Sequence, residues 1–268
     1  MAGPNAPRFR HLCLMAPTLE PGLSTLQRLF GLAVAHRDPI VARWGIENAV
    51  LPVGHHFIEL CAPIRADAPA RRYLSRRPGG GGYIVVTDCA DLPRRRAHVD
   101  RLGLRVVTDL ELPGFRTLQL HPRDTGGCML EFNTTEVGGA TDGAYLPAGP
   151  DWQSAVRTER IGAIAAIELR ARAPERMAAH WAQICEAPVS RDAAGTPQLD
   201  LGGTWLRFAV CGDDDAEGVA GVDLVANDAA AVLASARELG LPVDAAAGSL
   251  QWLSIAFRLV AARPTALR

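Results

Sequence analysis

Glu131 is the residue whose setting most demands an explanation. It lies in the run His121 to Phe132, HPRDTGGCMLEF, which reads as the end of one strand, a turn built on Pro122, Asp124, Gly126 and Gly127, and a second strand. Proline presets the turn's φ, aspartate can bond backbone amides, and the paired glycines accept angles that side chains forbid. Period-2 alternation then sets Cys128, Leu130 and Phe132 on one face and Met129, Glu131 and Asn133 on the other. Burying a carboxylate unpaired is costly, so Glu131 calls for a partner: an arginine, water or a metal. Two more groups sit in apolar strands. His11 lies in FRHLCLMA, with Cys13 and Met15 on its face, and Glu59 lies in FIELCAP. Each has a plainer reading alone: a histidine in such a strand is more often a satisfied core or groove residue, and Glu59 and Glu131 could pair with Arg43, Arg116 or Arg123.

The elements that position these groups follow a repeated pattern. After the His11 strand, GLSTLQRLFGL has apolar residues at the spacing of a helix, and ENAVLPV and HHFIELCA are strand-like on either side of Gly54. This makes one βαβββ module, with its remaining strand expected around Val34 to Val41. RPGGGG, Arg77 to Gly82, reads as a flexible joint rather than a phosphate loop, since it lacks the GxxxxGK[ST] arrangement. YIVVTD, a helix capped by Asp91, then RVVTDLE, FRTLQLH and CMLEFN form a second module. Thr134 to Gln153 is rich in Gly, Ala, Pro and Thr and reads as an interdomain connection. Beyond it, RLGL at Arg101 and ELGL at Glu238 recur at an offset of 137 residues, which also carries Asp91 onto Asp228, so the second half repeats the first. Its last module looks shortened, with one clear strand, SLQWLSIAFRLV, after Val243.

Composition sets the bounds. At 268 residues there is room for two cores, and 28 Lys and Arg against 29 Asp and Glu leave a net charge of -1, no footprint for nucleic acid or an anionic membrane. Arg71, Arg72, Arg76, Arg77 and Arg94 to Arg96 form local clusters, read either as solvated faces or as contacts for a phosphate-bearing substrate. The six cysteines, at positions 13, 61, 89, 128, 185 and 211, make no CxxC and no metal-finger spacing, and no signal peptide or membrane-spanning run is visible. A reduced, cytoplasmic setting is the expectation, with most cysteines as small core residues.

The segment HPRDTGGCMLEF closely resembles a motif of the vicinal-oxygen-chelate superfamily, which includes glyoxalase I, methylmalonyl-CoA epimerase, extradiol dioxygenases and bleomycin-resistance proteins. WGIENAVLPVG is similar to the glyoxalase-like branch. The resemblance implies an α+β fold of tandem βαβββ modules paired into two vicinal-oxygen-chelate domains, the second degenerate: residues 1–137 bearing the site, 138–158 a linker, and 159–268 the second domain. It also implies a divalent metal ion held by His11, Glu59 and Glu131 on the concave sheet, with Glu131 and Glu59 as the catalytic carboxylates. Trp44, Asn48, Tyr83 and His121 are expected to line the substrate pocket. The fourth ligand position falls at Ile84, which cannot ligate.

Three protein ligands leave positions open for water and substrate oxygens. The implied activity is a metal-dependent lyase or isomerase acting beside a carbonyl, with Glu47, His55, His56 and His121 as candidate general bases. The missing ligand keeps a second reading open, a non-catalytic protein that sequesters a small molecule. An extradiol dioxygenase, which usually takes two histidines and one carboxylate, ranks third. In the second half the place of His11 falls near Ala166 and the strand that should carry a carboxylate reads WLRFAVC, so that half is expected to be a cover or a dimerisation surface. His36, His98 and His180 are assigned nothing. The partner expected is a small molecule, with a homodimer possible and neither nucleic acid nor membrane.

Overall fold

The computed structural model describes residues 5–135, 141–212 and 215–262. In chain order the first half runs β1 (Arg8–Met15), α1 (Leu19–Phe30), β2 (Ile46–Val53), β3 (His56–Pro63), α2 (Pro69–Arg76), β4 (Gly81–Asp88), α3 (Leu92–Arg101), β5 (Val106–Leu112), β6 (Phe115–Leu120), α4 (Pro122–Thr125) and β7 (Met129–Thr135). Its seven strands form one sheet in the order β2-β3-β1-β4-β7-β6-β5. The first strands of the two modules, β1 and β4, pair antiparallel at the centre, and each is flanked by its own module's last strand, β3 or β7, in parallel.

The second half repeats the plan with β8 (Ile161–Ala171), α5 (Pro174–Cys185), β9 (Val189–Arg191), β10 (Pro197–Leu201), β11 (Thr204–Val210), β12 (Gly218–Ala226), α6 (Ala229–Glu238), β13 (Val243–Asp244), β14 (Ser249–Trp252) and β15 (Ile255–Val260). Its sheet order is β13-β14-β15-β12-β8-β11-β10-β9, again with an antiparallel central pair. The 137-residue repeat is visible in the caps. Asp91 accepts from Arg94 N and Asp228 from Ala231 N, each at 2.9 Å, satisfying an orphan amide at the start of α3 and α6.

Three expectations are corrected. The stretch Val34 to Val41 is no strand: it offers one bridge, His36 to Val50, and then a 3₁₀ turn, Pro39–Trp44, because Asp38 caps Ile40 N and Pro39 starts a helical turn. The glycine run Arg77 to Gly82 is no flexible joint. A Cβ on Gly80 would lie 2.3 Å from Met15 O in the same half and one on Gly82 2.3 Å from Val219 in the other, so the run is tightly packed and Gly82 lets the halves approach closely. The last module is complete, since SLQWLSIAFRLV folds as the hairpin of β14 and β15. Its turn residues Leu253 and Ser254 both take positive φ, 50° and 58°, where asparagine and glycine are the usual occupants.

One hydrophobic cluster runs through both sheets and the inner faces of α1, α3, α5 and α6. Along β1, Leu12 and Leu14 join this cluster while Cys13 and Met15 face the other way. The connection between the halves is also packed. Tyr145, Ala148 and Trp152 are buried against Val50, Phe57 and Phe115, and Arg10 binds Thr141 O at 2.7 Å from beneath the Tyr145 ring. Residues 138–140 of the expected linker lie outside the described residues. Among the described residues no helix is long and apolar enough to cross a membrane.

Candidate active site

The concave face of the first sheet encloses a cavity of about 840 Å³. Alternation on each strand delivers its lining: His11 and Cys13 from β1, Glu59 and Cys61 from β3, Ile84 from β4, Thr117 and Gln119 from β6, Met129 and Glu131 from β7. Trp44, Tyr83 and His121 lie on its wall. Asn48 is buried and grips Glu59 instead.

His11 is held at both ring nitrogens. Nδ1 lies 2.7 Å from the Tyr145 hydroxyl and Nε2 3.2 Å from Glu59 Oε2. Asn133 Nδ2 donates to the Tyr145 hydroxyl at 3.1 Å, so the phenol proton is available for His11 Nδ1, and Nε2–H then donates to Glu59. Glu59 Oε1 accepts from Asn48 at 2.6 Å. Burial alone would raise the Glu59 pKa, but the bonds from His11 and Asn48 outweigh it and hold it below the ordinary value. Glu131 goes the other way: burial raises its pKa against the pull of His11 and the bond from Gln119 Nε2 at 2.5 Å. Two carboxylates on one wall are thus pushed apart, one toward the ionised form and one toward the protonated form.

None of the arginines considered as partners reaches them. Arg116 pairs with Glu111, and Arg43 stacks on Trp44 at 5.7 Å. Arg123 reaches the cavity wall only beside His121. The fourth ligand position has no donor. Val86 is level with both His11 and Glu131 across the sheet, Ile84 lines the cavity two residues away, and both are aliphatic.

Of the candidate bases, Glu47 and His55 are exposed and line no part of the cavity. His56 is wedged between the halves, accepting from Ile164 N at 3.3 Å. His121 alone of the four faces the cavity, where its Nδ1 caps α4 by accepting from Arg123 N at 3.1 Å.

Three features escaped the sequence reading, and a fourth was read only as one of two alternatives. Tyr145 lies in a segment whose composition says only connection. Asp38 faces the cavity from the 3₁₀ turn, and burial raises its pKa. Cys13 and Cys61 are not only core, since both thiols line the cavity 3.4 Å apart; their two-residue spacing from His11 and Glu59 was the available signal. Finally, Arg72, Arg76, Arg77 and Arg123 gather on the cavity wall, with Glu217 of the second half beside them. Arg77 is anchored there by the carbonyls of Ala216 and Glu217.

The second sheet shows what replaces such a site. In its register Asp223 stands level with Ala166 and Arg258, as Val86 stands level with His11 and Glu131. Arg207 pairs with Glu168 as Glu59 pairs with Cys13. These four form ion pairs: Arg207 to Asp223 at 2.6 Å, and Arg258 to Asp223 at 2.6 Å and to Glu168 at 2.8 Å. The equivalent face therefore neutralises itself, and among the described residues no histidine and carboxylate set lies on it.

Residues 9–185 match the family described as a glyoxalase-like domain. The chain belongs to this family. This glyoxalase-like protein is 26% identical over 129 residues to the ethylmalonyl-CoA/methylmalonyl-CoA epimerase of Cereibacter sphaeroides, a stretch of 46% of this chain and 95% of the epimerase. A hypothetical protein from Staphylococcus aureus shares the architecture over 96% of this chain and 99% of its own, with a TM-score of 0.65 at 11% identity. A variant of the Streptomyces coelicolor methylmalonyl-CoA epimerase, in complex with 2-nitronate-propionyl-CoA, is 21% identical over 49% of this chain and 99% of its own, with a TM-score of 0.44. The paired βαβββ modules and the family match together make this a member of the vicinal-oxygen-chelate superfamily.

Proposed function

We propose that this glyoxalase-like protein is a divalent-cation-dependent lyase or isomerase that moves a proton at the carbon beside a substrate carbonyl. The observation that carries the reading is that His11, Glu59 and Glu131 all line one cavity, with no arginine among the described residues neutralising the two carboxylates. That donor set suits a divalent cation: an imidazole oriented from behind by Tyr145, and carboxylates that repel each other until a positive charge joins them. His11, Glu59 and Glu131 are the residues that would hold it. When bound, the ion would supply a Lewis acid to polarise the carbonyl oxygen.

The remaining steps belong to the protein's own groups. Glu131, whose burial favours its protonated form, is suited to accept a proton from carbon and return it; Asp38 and His121 are the other proton carriers on the wall. Arg72, Arg76, Arg77 and Arg123 would bind an anionic part of the substrate, the carboxylate or phosphate of a bulky ester. The likeness to an acyl-CoA epimerase suggests acyl-CoA thioesters as the first compounds to try. The six cysteines are all unpaired, which suits a reducing, cytoplasmic setting.

The test is deuterium incorporation from heavy water into a panel of branched and carboxylated acyl-CoA thioesters and hemithioacetals, with and without added divalent ions. Ion-dependent exchange at the carbon beside the carbonyl is expected, falling by about 10²–10⁴-fold in Glu131→Gln. Tight binding of a panel member with no exchange under any ion would instead favour a sequestering protein. The observation on that side is the aliphatic pair Val86 and Ile84 where a fourth ligand belongs.

A further inference from the structure

The set formed by His11, Glu59 and Glu131 is not the tightest group of donors on this wall. The ligand atoms of Cys13, Glu59 and Cys61 all lie within 4.8 Å of one another, and neither His11 nor Glu131 joins that group. The reason is register. Cys13 stands level with Glu59 on the neighbouring parallel strand, Cys61 follows two residues later on the same face, and the two thiols meet at 3.4 Å. Both cysteines are 1% exposed, yet both border the cavity, so the thiols face a space that a small solute can enter.

We infer that Cys13, Glu59 and Cys61 form a site for a thiophilic divalent cation of the zinc kind within this cavity. This rests on the reading above that the cavity takes a divalent cation, and it changes which side chains hold a soft one. Two sulfurs and a carboxylate oxygen favour zinc, cadmium or cobalt over magnesium. A tetrahedral zinc with sulfurs at about 2.3 Å needs them roughly 3.8 Å apart, so the pair has to open by only a few tenths of an ångström. Three protein ligands leave a fourth position for a substrate oxygen. On binding, each thiol gives its proton to solvent and becomes a thiolate, and the charge of the ion offsets the two thiolates and the Glu59 carboxylate to a net single negative charge. No redox partner is needed. Glu131 and His11 are then left free to handle the substrate's proton.

The experiment is titration of full-length, chelator-stripped, reduced protein with cobalt(II) and cadmium(II), followed by ultraviolet and visible absorption, in wild type, Cys13→Ser, Cys61→Ser and Glu131→Gln. Expected is one equivalent of ion with a thiolate-to-metal charge-transfer band, at least tenfold weaker binding and loss of the band in either cysteine variant, and retention of both in Glu131→Gln. Circular dichroism checks that each variant folds. In wild type, the bound ion is also expected to shield two thiols from a thiol reagent. Uptake without the band, intact in the cysteine variants and lost in Glu131→Gln, overturns the inference while leaving the proposed metal-dependent chemistry standing. No uptake by any form overturns both, and the deuterium-exchange panel reports on the chemistry independently.

Discussion

Tyr145 decides how His11 faces the cavity, and it does so from a segment that carries no motif. Its hydroxyl engages Nδ1, so Nε2 is the nitrogen presented to Glu59; a cation would take Nε2 in the other tautomer, with Nδ1–H donating to the Tyr145 oxygen. Tyr145→Phe keeps the packing against Phe57 and removes that bond. Binding of a hard divalent cation through His11 is expected to weaken by about 10–100-fold with the melting curve little changed, as isothermal titration beside thermal denaturation would show. His56 offers a second test at this scale. Burial, reinforced by the charge of Arg10, lowers its pKa to about 4, and its Nδ1 accepts a hydrogen bond from Ile164 N that a protonated ring cannot accept. Between the ordinary histidine value and pH 4 the unfolded chain binds a proton that the folded one refuses. Stability is therefore full above that window and falls as the pH drops through it, by on the order of 3 kcal/mol. Urea denaturation at a series of pH values is expected to show this decline in wild type and a flatter profile in His56→Phe. The strand periodicity made His11, Glu59 and Glu131 legible because each is a polar residue in an apolar strand. Cys13 and Cys61 passed as core because a cysteine breaks no hydrophobic pattern.

At the scale of elements, what the sequence conceals is what its turns conceal. Asp91 and Asp228 announce their helices because a capping side chain is a local signal. The turn of the β14–β15 hairpin is silent, since Leu253 and Ser254 adopt left-handed angles without the usual asparagine and glycine. Ser254→Gly removes a Cβ from a disfavoured conformation and is expected to stabilise the protein by about 1 kcal/mol, measurable as a raised melting temperature. The opposite holds where α4 meets the second half. Gly127 has a φ of 109°, and a Cβ there would sit 2.7 Å from the backbone of Glu217. Gly127→Ala is expected to cost on the order of 1–3 kcal/mol and to disturb the Arg77 anchor on Glu217, weakening binding of anionic ligands in a competition assay. Glycines read in sequence as a joint or a turn are here places of close approach, and only the partner surface, distant in sequence, distinguishes the two.

For the whole molecule, the repeat of modules was legible and the unity of the halves was not. An offset of 137 residues reveals duplication, but nothing local reveals that one core spans both sheets or that the connection supplies Tyr145 and Trp152 to the first. A fragment of residues 1–137 would expose the inner faces of α1 and α3 and lack both aromatic residues. It is expected to be insoluble or molten, whereas the full chain unfolds in one cooperative transition when fluorescence and circular dichroism are followed together. The two sheets also carry different side chains on their equivalent faces. Where the first sheet sets histidine and carboxylates facing a cavity, the second sets Arg207, Asp223, Arg258 and Glu168 into ion pairs with one another. The most direct measurement is metal content by elemental analysis and equilibrium dialysis, comparing wild type with Glu59→Ala, because Glu59 belongs to either ligand set. About one zinc-like ion per chain in wild type and its loss in a folded Glu59→Ala is the result expected; no ion in wild type after loading, or equal binding by the variant, would contradict a metal site in this cavity.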